Sequence, residues 1–167
     1  MTRTKVNKMK LAAAVILYYP DNTLLHNINS YIDDVDMLMV FDNSPTNTAQ
    51  NVLDLNNKIK YYWDGNNEGI AKRLNEAIDI CRKEGFEFLL TIDNVGMFGV
   101  LHDKSQISND TNSYTLNNLL ITSGSIIPLN KIDHLGPFSE ELYIDGVDTE
   151  FCLRCFELKY NTCLLYT

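Results

Sequence analysis

LAAAVILYYP, residues 11–20, is the stretch that decides the fold of this chain. A basic segment, residues 1–10, precedes it, so that the two together have the outline of a secretory signal peptide. The apolar run ends in Tyr18-Tyr19-Pro20-Asp21 without a small-residue cleavage site, and it is far shorter than the roughly 20 residues that span a bilayer. We therefore predict a first β-strand, Lys10–Tyr18, and a cytoplasmic protein without a transmembrane segment.

Downstream of this strand, short apolar runs alternate with longer amphipathic segments as far as Asp93. A helix is expected where apolar residues recur from Ile70 to Cys81, and it should stop near Gly85, because glycine commonly ends helices. This alternation is typical of βα units on a parallel sheet. Three further strands are predicted in this half: Met37–Phe41, Lys58–Trp63 and Phe86–Ile92. Two further helices are predicted there: one with Leu24, Leu25, Ile28 and Ile32 on one face, and a weak one over Thr48–Leu55.

The second half of the chain is less regular, and its pattern predicts shorter elements. We predict a single α/β domain over residues 1–167, with a nucleotide-binding βα half (1–93) and a shortened acceptor-side half (94–167). Strands are expected at Met97–Leu101, within Asn118–Pro128 and at Thr162–Tyr166; helices at Ile132–Leu135 and Val147–Lys159; and a polar loop at His102–Tyr114.

Composition limits the possible partners. A chain of 167 residues with 45% hydrophobic content suits one domain with a buried core. Its net charge of -8 argues against nucleic acid and anionic membranes, which would repel it. A nucleotide could still bind where a helix N-terminus, a cation or a basic group offsets this charge.

The four cysteines, Cys81, Cys152, Cys155 and Cys163, form only one Cys-x-x-Cys pair. No second pair lies at zinc spacing, so we predict buried, reduced thiols. The three histidines are scattered and suggest no ligand cluster.

Several polar residues stand where predicted strands end, which is the edge at which open α/β sheets bind ligands. Asp42-Asn43 could read a base or ribose, or could be an ordinary turn before Pro45. The segment 66–71 enters a helix and could bind an anion through free amides, or could simply be a helix cap. Asp93 could meet a ribose or a divalent cation. Asp148 and Glu150 could supply a general base, or could be acids that favour a helix N-terminus.

The order of these segments along the chain carries a resemblance. The blocks AAVILYYP (13–20), FDNS (41–44), NNEGIA (66–71), FLLTID (88–93), ITSGS (121–125) and DTEFCLR (148–154) resemble, in sequence order, the motifs of rhamnosyltransferase-like members of glycosyltransferase family 2. The resemblance covers the chain from about Leu11 to Tyr160.

This resemblance implies a GT-A (Rossmann-like) fold, a nucleoside-diphosphate-sugar donor such as dTDP-rhamnose, a saccharide acceptor and a divalent metal, Mn²⁺ or Mg²⁺. It implies that Asp148 is the catalytic base and that Asp93 is the first metal carboxylate. The implied donor-binding residues are Tyr18, Tyr19, Pro20, Asp42, Asn43, Asn67, Gly69, Ala71 and Asp93. The implied acceptor-side residues are Ser123, Gly124, Glu150 and Arg154.

Two features depart from the family pattern. The pattern has a second aspartate two positions after Asp93, where this chain has Val95, so that metal binding should be weak. Members also usually continue beyond the helix that holds Arg154. A non-catalytic nucleotide-binding or assembly module is therefore the alternative function, and an unrelated flavodoxin-like domain the alternative fold. Exposed strand edges make a homo-oligomer plausible.

Overall fold

The structure is a computed structural model that describes residues 9–47, 49, 56–93, 114–116, 120, 121 and 123–165. For residues 93, 114–116 and 163–165 it describes the backbone alone. The predicted helix at Thr48–Leu55, strand at Met97–Leu101 and loop at His102–Tyr114 lie outside these residues, except for Ala49 and for Tyr114, which begins a short strand and not a loop.

A five-stranded sheet forms the centre of the described chain, in the order β3-β2-β1-β4-β6. The first four strands run parallel, and β6 pairs antiparallel with β4 at the edge. The strands are β1 (Leu11–Leu17), β2 (Met37–Asp42), β3 (Ile59–Trp63), β4 (Phe88–Asp93) and β6 (Ser125–Pro128). Two short strands, β5 (Tyr114–Leu116) and β7 (Cys163–Leu165), pair antiparallel in a separate sheet.

Both faces of β1 and β2 are buried, because successive side chains point to opposite sides of the sheet. One apolar cluster includes Ala12, Ala14, Met39 and Phe41. The cluster on the other face includes Ala13, Val15, Leu38 and Val40. Helices cover both clusters, as the apolar runs predict. The helices are α1 (Leu24–Asn29), α2 (Gly69–Glu84), α3 (Ile132–Leu135) and α4 (Val147–Glu157).

The helix α2 packs on the first cluster through Ala71, Leu74, Ala77 and related residues at helical spacing. Gly85 ends it in the left-handed conformation, with φ of 73°, as the sequence predicts. On the other face of the sheet, the helix α1 is shorter and is followed by a 3-10 turn at Ile32–Asp34. This mostly parallel sheet with helices on both faces confirms the predicted GT-A, Rossmann-like α/β class.

The predicted strands and helices of the described residues are present, and apart from the strand predicted within 118–128 their ends differ by at most three residues. Within 118–128 the described strand is β6, and Ser123 and Gly124 form the turn before it. Of the side chains expected to be buried, Val15, Leu38, Val40 and Leu89 are at most 3% exposed, whereas Ile16 and Leu90 are partly buried. Cys81, Cys152 and Cys155 are free and buried, as expected.

Candidate functional site

The parallel strands bring the predicted donor-side residues to one edge of the sheet. In the register of the sheet, Asp42 lies opposite Leu17 and Trp63, while Asp93 lies opposite Ile16. The ends of β2 and β4 therefore flank the end of β1 and the loop of Tyr18, Tyr19 and Pro20 that follows it. This edge is where a parallel sheet exposes its loops to ligands.

Asp42 is fully buried at this edge, and both of its carboxylate oxygens accept hydrogen bonds. The Ser44 amide donates to Oδ1 at 2.9 Å, and the Tyr61 hydroxyl donates to Oδ2 at 2.7 Å. Burial raises the pKa of the Tyr61 phenol, and the hydrogen bond to the Asp42 carboxylate raises it further. Asp42 thus fixes the loop after β2 and ties it to β3.

Asn43, which is 3% exposed, connects β2 to the start of α2. Its Nδ2 donates to the Gly69 carbonyl at 3.2 Å, and its Oδ1 accepts from Arg73 Nε at 2.8 Å and from the Glu68 amide at 3.4 Å. Each polar atom of the amide group therefore has a partner within the chain. The carboxamide orients the donor-side loop of α2.

Arg73 is a buried cation beside this edge, with only 4% of its surface exposed. Besides Asn43, it donates to Asp64 Oδ1 at 3.0 Å and to Glu76 Oε2 at 2.9 Å. The guanidinium thus links the loop after β2, the loop after β3 and the helix α2. Planar, multidentate hydrogen bonding of this kind is what distinguishes arginine from lysine.

The sequence analysis did not single out Arg73, although a signal for it exists. Arg73 lies three residues after Ile70 and four before Ala77, so that it falls on the buried face of α2. A charged residue on the apolar face of a helix is rarely buried without partners. That position could have marked it as part of a buried polar network.

Ser44 is a second residue whose role the sequence does not reveal. It is 1% exposed, and its hydroxyl accepts the Tyr19 amide at 2.8 Å. Its carbonyl accepts the indole N–H of Trp63 at 2.9 Å. Together with its amide bond to Asp42, these contacts tie the ends of β1, β2 and β3 together.

The N-terminus of α2 is capped from within the chain. Ile70 and Ala71 donate their amides to the carbonyl of Tyr143, at 2.8 and 3.4 Å, and the Gly69 amide donates to Asn67 Oδ1 at 3.1 Å. Of the two roles open to this segment from its sequence, the structure therefore supports capping. The same amides are not available to a phosphate while Tyr143 is in place.

The acidic segment follows Tyr143 in the chain and forms the start of α4. Asp148 lies in the first turn of α4 and is half-buried, a few residues after Tyr143. Glu150 and Arg154 form an ion pair on the same helix. Arg154 also donates to the carbonyls of Leu135 and Pro137, at 2.6 and 2.7 Å, so that it anchors α4 to α3.

The remaining acceptor-side residues lie beside β4. Gly124 donates its amide to the Thr91 carbonyl at 2.7 Å, which places the Ser123–Gly124 turn next to the end of the strand that carries Asp93. Among the described residues, no group of three or more histidine, cysteine, aspartate or glutamate side chains could hold a metal ion. The expected metal contact of Asp93 lies outside this search, because only the backbone of that residue is described.

The sequence of this chain is similar to sequences of known proteins. Residues 19–94 match the family model "Glycosyl transferase family 2". The chain is also 24% identical, over 86% of its length, to the "dTDP-rhamnosyl transferase RfbF" of Shigella flexneri. The alignment spans 62% of that relative, so the chain covers less than two thirds of it. In the part of the chain that the structure describes, no helix is long and apolar enough to cross a membrane.

Proposed function

We propose that this chain, whose similarity to rhamnosyltransferase-like proteins of glycosyltransferase family 2 confirms the resemblance of its motifs, transfers a sugar from a nucleoside diphosphate to a saccharide acceptor. The donor we propose is dTDP-rhamnose or a similar deoxysugar nucleotide, since RfbF is named for dTDP-rhamnosyl transfer. The reaction inverts the anomeric carbon and takes place in the cytoplasm.

One observation carries the proposal: Tyr143 joins the donor-side and acceptor-side segments. Its carbonyl accepts the Ile70 amide at 2.8 Å, and its hydroxyl donates to the Asn67 carbonyl at 2.7 Å. We propose that Asp148, which follows Tyr143 closely in the chain and lies in the first turn of α4, faces the edge where Asp42 and Asp93 end their strands. A transferase needs a donor pocket and a base side by side, and this contact supports that arrangement.

In the proposed reaction, the Asp148 carboxylate takes the proton of an acceptor hydroxyl. The acceptor oxygen forms a bond to the anomeric carbon on one face, while the bond from that carbon to the diphosphate oxygen breaks on the other. The nucleoside diphosphate leaves with the electron pair. The Tyr18–Pro20 loop holds the nucleoside, the Asp42–Asn43 turn supports that loop from within the chain, and the Ser123–Gly124 turn faces the acceptor.

For the divalent metal, we propose a contact with a single residue of this chain, Asp93. A cation that binds a donor diphosphate would neutralise its charge and assist its departure. In this chain Asp93 is the residue that would contact it, and the described residues around it add no cluster of ligands. We therefore assign the chain's own part in the reaction to binding, orientation and proton removal.

The alternative is a non-catalytic module that binds nucleotide, or assembles with another chain, through the same sheet edge. The nucleoside side of this edge is built by buried contacts among Asp42, Asn43, Tyr61 and Arg73, and these contacts would serve the transferase and the nucleotide-binding module alike. Both of these functions require nucleotide binding, only the transferase requires Asp148, and an assembly module requires neither.

The deciding experiment measures nucleoside diphosphate release from dTDP-rhamnose by the purified chain, with Mn²⁺ and with a rhamnan-type saccharide acceptor. Release that falls about 100-fold or more in Asp148→Asn would support base catalysis. The exposed neighbour Asp145, changed to Asn, is the matched control and should keep the wild-type rate. Nucleotide binding without turnover would favour the non-catalytic module, and absence of binding would contradict both.

A further inference from the structure

Ser44 uses all three of its polar groups at the proposed nucleoside edge. Its amide donates to Asp42, its hydroxyl accepts the amide of Tyr19 and its carbonyl accepts the indole N–H of Trp63. Only 1% of Ser44 is exposed, so that this residue itself offers no surface to a ligand. Its contacts lead instead to two large aromatic side chains.

Tyr19 and Trp63 are exposed in spite of this buried support, at 60% and 41%. Trp63 is the single tryptophan of the chain. The ring of Tyr18 packs edge-on against that of Tyr19, with the centroids 4.6 Å apart, and is itself exposed. Exposed aromatic rings whose backbone or indole N–H is held by a buried residue are suited to contact with a planar base.

Tyr19 also adopts a backbone conformation that needs support. Its φ is 49°, in the left-handed region that side chains other than glycine and asparagine rarely enter. The hydrogen bond from its amide to the Ser44 hydroxyl holds that conformation, since it is the contact of the Tyr19 backbone with the buried loop after β2. Without the hydroxyl, the loop could relax and carry the ring away.

We propose that Ser44 is a positioning residue, which holds Tyr19 and Trp63 so that their exposed rings contact the nucleobase of the donor. This inference rests on the proposed function for its ligand, a nucleoside diphosphate, and it adds Trp63 to the residues that touch the base. Ser44 acts on Tyr19 through its hydroxyl and on Trp63 through its carbonyl. A substitution of its side chain therefore removes only the first of these two contacts.

A double-mutant cycle of Ser44→Ala and Tyr19→Gly tests the first contact, with dTDP as the probe and calorimetry as the readout. Tyr19→Gly removes the ring and tolerates the positive φ, while it keeps the amide that donates to Ser44. We expect Ser44→Ala to weaken dTDP binding about fivefold or more in the wild-type background, as loss of base stacking does. In the Tyr19→Gly background the same substitution should change binding less than about twofold, because no ring is left to position.

The fluorescence of Trp63 tests the second contact with the same samples. In Ser44→Ala without ligand, the emission of Trp63 should match that of the wild-type chain, because the carbonyl partner of its indole is retained. Addition of dTDP should quench this emission in the wild-type chain. Thermal unfolding of each variant separates a general loss of stability from a loss of positioning.

Each contrary result has its own meaning. If Ser44→Ala weakens dTDP binding equally in both backgrounds, or does not weaken it in the wild-type background, then the positioning role of Ser44 is wrong. The proposed function is unaffected by either result. Heat of dTDP binding without any change in Trp63 emission would overturn the contact of Trp63 with the base. Absence of dTDP binding to the wild-type chain at millimolar concentrations would overturn the inference and the proposed function together.

Discussion

The backbone carbonyl of Tyr143 accepts the amide of Ile70 at 2.8 Å, so that a residue of the acceptor-side half caps the helix of the donor-side half. Tyr143 itself has a φ of 57°, which points its carbonyl into the first turn of α2. The close approach is possible because residue 69 is glycine. A Cβ atom there would lie 2.6 Å from the Tyr143 carbonyl oxygen and 2.6 Å from its Cδ2.

Gly69→Ala should therefore strongly destabilise the chain. The φ of Gly69 is 75°, and the added methyl group would overlap backbone as well as side chain of Tyr143. We expect a loss of about 3 kcal/mol or more in the free energy of unfolding, from strain and overpacking together. Denaturant titration of the two proteins measures it.

Gly85→Ala is the matched control for this substitution. Gly85 ends the same helix with a φ of 73°, but a Cβ atom there would meet nothing within 4 Å. The free energy of unfolding should fall only by the cost of placing alanine in the left-handed conformation, about 1 to 2 kcal/mol. If both variants lose the same stability, then the packing of Tyr143 against residue 69 adds nothing.

The frame of the sheet could be predicted from the sequence because it depends on local patterns. The apolar runs at β1 and β2 are buried on both faces, and the glycine at residue 85 stops α2 where it was expected to. The contacts that connect these elements could not be predicted, since they join residues far apart along the chain. Nothing local to Tyr143 indicates that its carbonyl caps α2, and nothing local to Ser44 indicates that it holds Tyr19 and Trp63.

The positions of two site candidates could be predicted from the strand ends. Asp42 and Asp93 follow strands of one parallel sheet, and the register has both at the same edge, while their roles in donor binding stay predictions. The motif order did not distinguish residues that face a ligand from residues that build the loops. Asn43 illustrates the difference, because its amide is used by Gly69, Glu68 and Arg73 within the chain.

Arg73→Met should lower the free energy of unfolding by more than the loss of a surface ion pair would. The substitution removes the buried partner of Asn43 Oδ1 and the charge that faces Asp64 and Glu76. Because both carboxylates are partly exposed, we expect about 2 to 3 kcal/mol, below the full cost of a broken buried ion pair. Urea unfolding of the variant and the wild-type chain measures the difference.

The adjacent Lys72→Met provides a control with the same change of charge. Lys72 pairs with Glu68 one turn away on the same helix, and its side chain is 41% exposed. Exposed pairs of this kind contribute little, so the urea midpoint of the variant should stay close to that of the wild type. Equal losses in the two variants would mean that Arg73 acts as an ordinary surface charge.

Stability should fall in alkaline solution because of Cys81. Burial raises the pKa of this thiol from 9.0 to about 12, and Glu84 adds to the shift. The folded chain therefore keeps a proton that the unfolded chain loses above pH 9, so the stabilisation is complete below that value and is lost as the pH rises toward 12. At pH 10 the loss from this group should be on the order of 1 kcal/mol.

Cys81→Ala tests this assignment by the difference between two pH values. The raised pKa values of Tyr31 and Tyr61 weaken the wild-type chain and the variant alike, so their effect cancels. The pKa of Tyr62 is raised by burial, by Glu84 and by Cys81 itself, so the effect of Tyr62 cancels only in part. Between pH 8 and pH 10, the variant should lose about 1 kcal/mol less than the wild type in denaturant titrations. An identical pH dependence in both proteins would assign the alkaline loss to other groups.

Chelation of divalent metal should change nucleotide binding little. Tight binding of a diphosphate through Mn²⁺ needs several protein oxygens on the cation, and here Asn94 and Val95 follow Asp93 where a second carboxylate is expected. With one carboxylate on a chain of net charge -8, most of the diphosphate charge stays uncompensated.

We therefore expect dTDP to bind weakly, with dissociation constants that agree within about twofold in Mn²⁺ and in EDTA. Turnover should stay below about 1 s⁻¹. Calorimetry in both buffers, with Asp93→Asn as the comparison, measures this. If Mn²⁺ tightens binding about tenfold in the wild-type chain and not in Asp93→Asn, then other residues complete the metal site around Asp93, and the argument from the missing carboxylate is wrong.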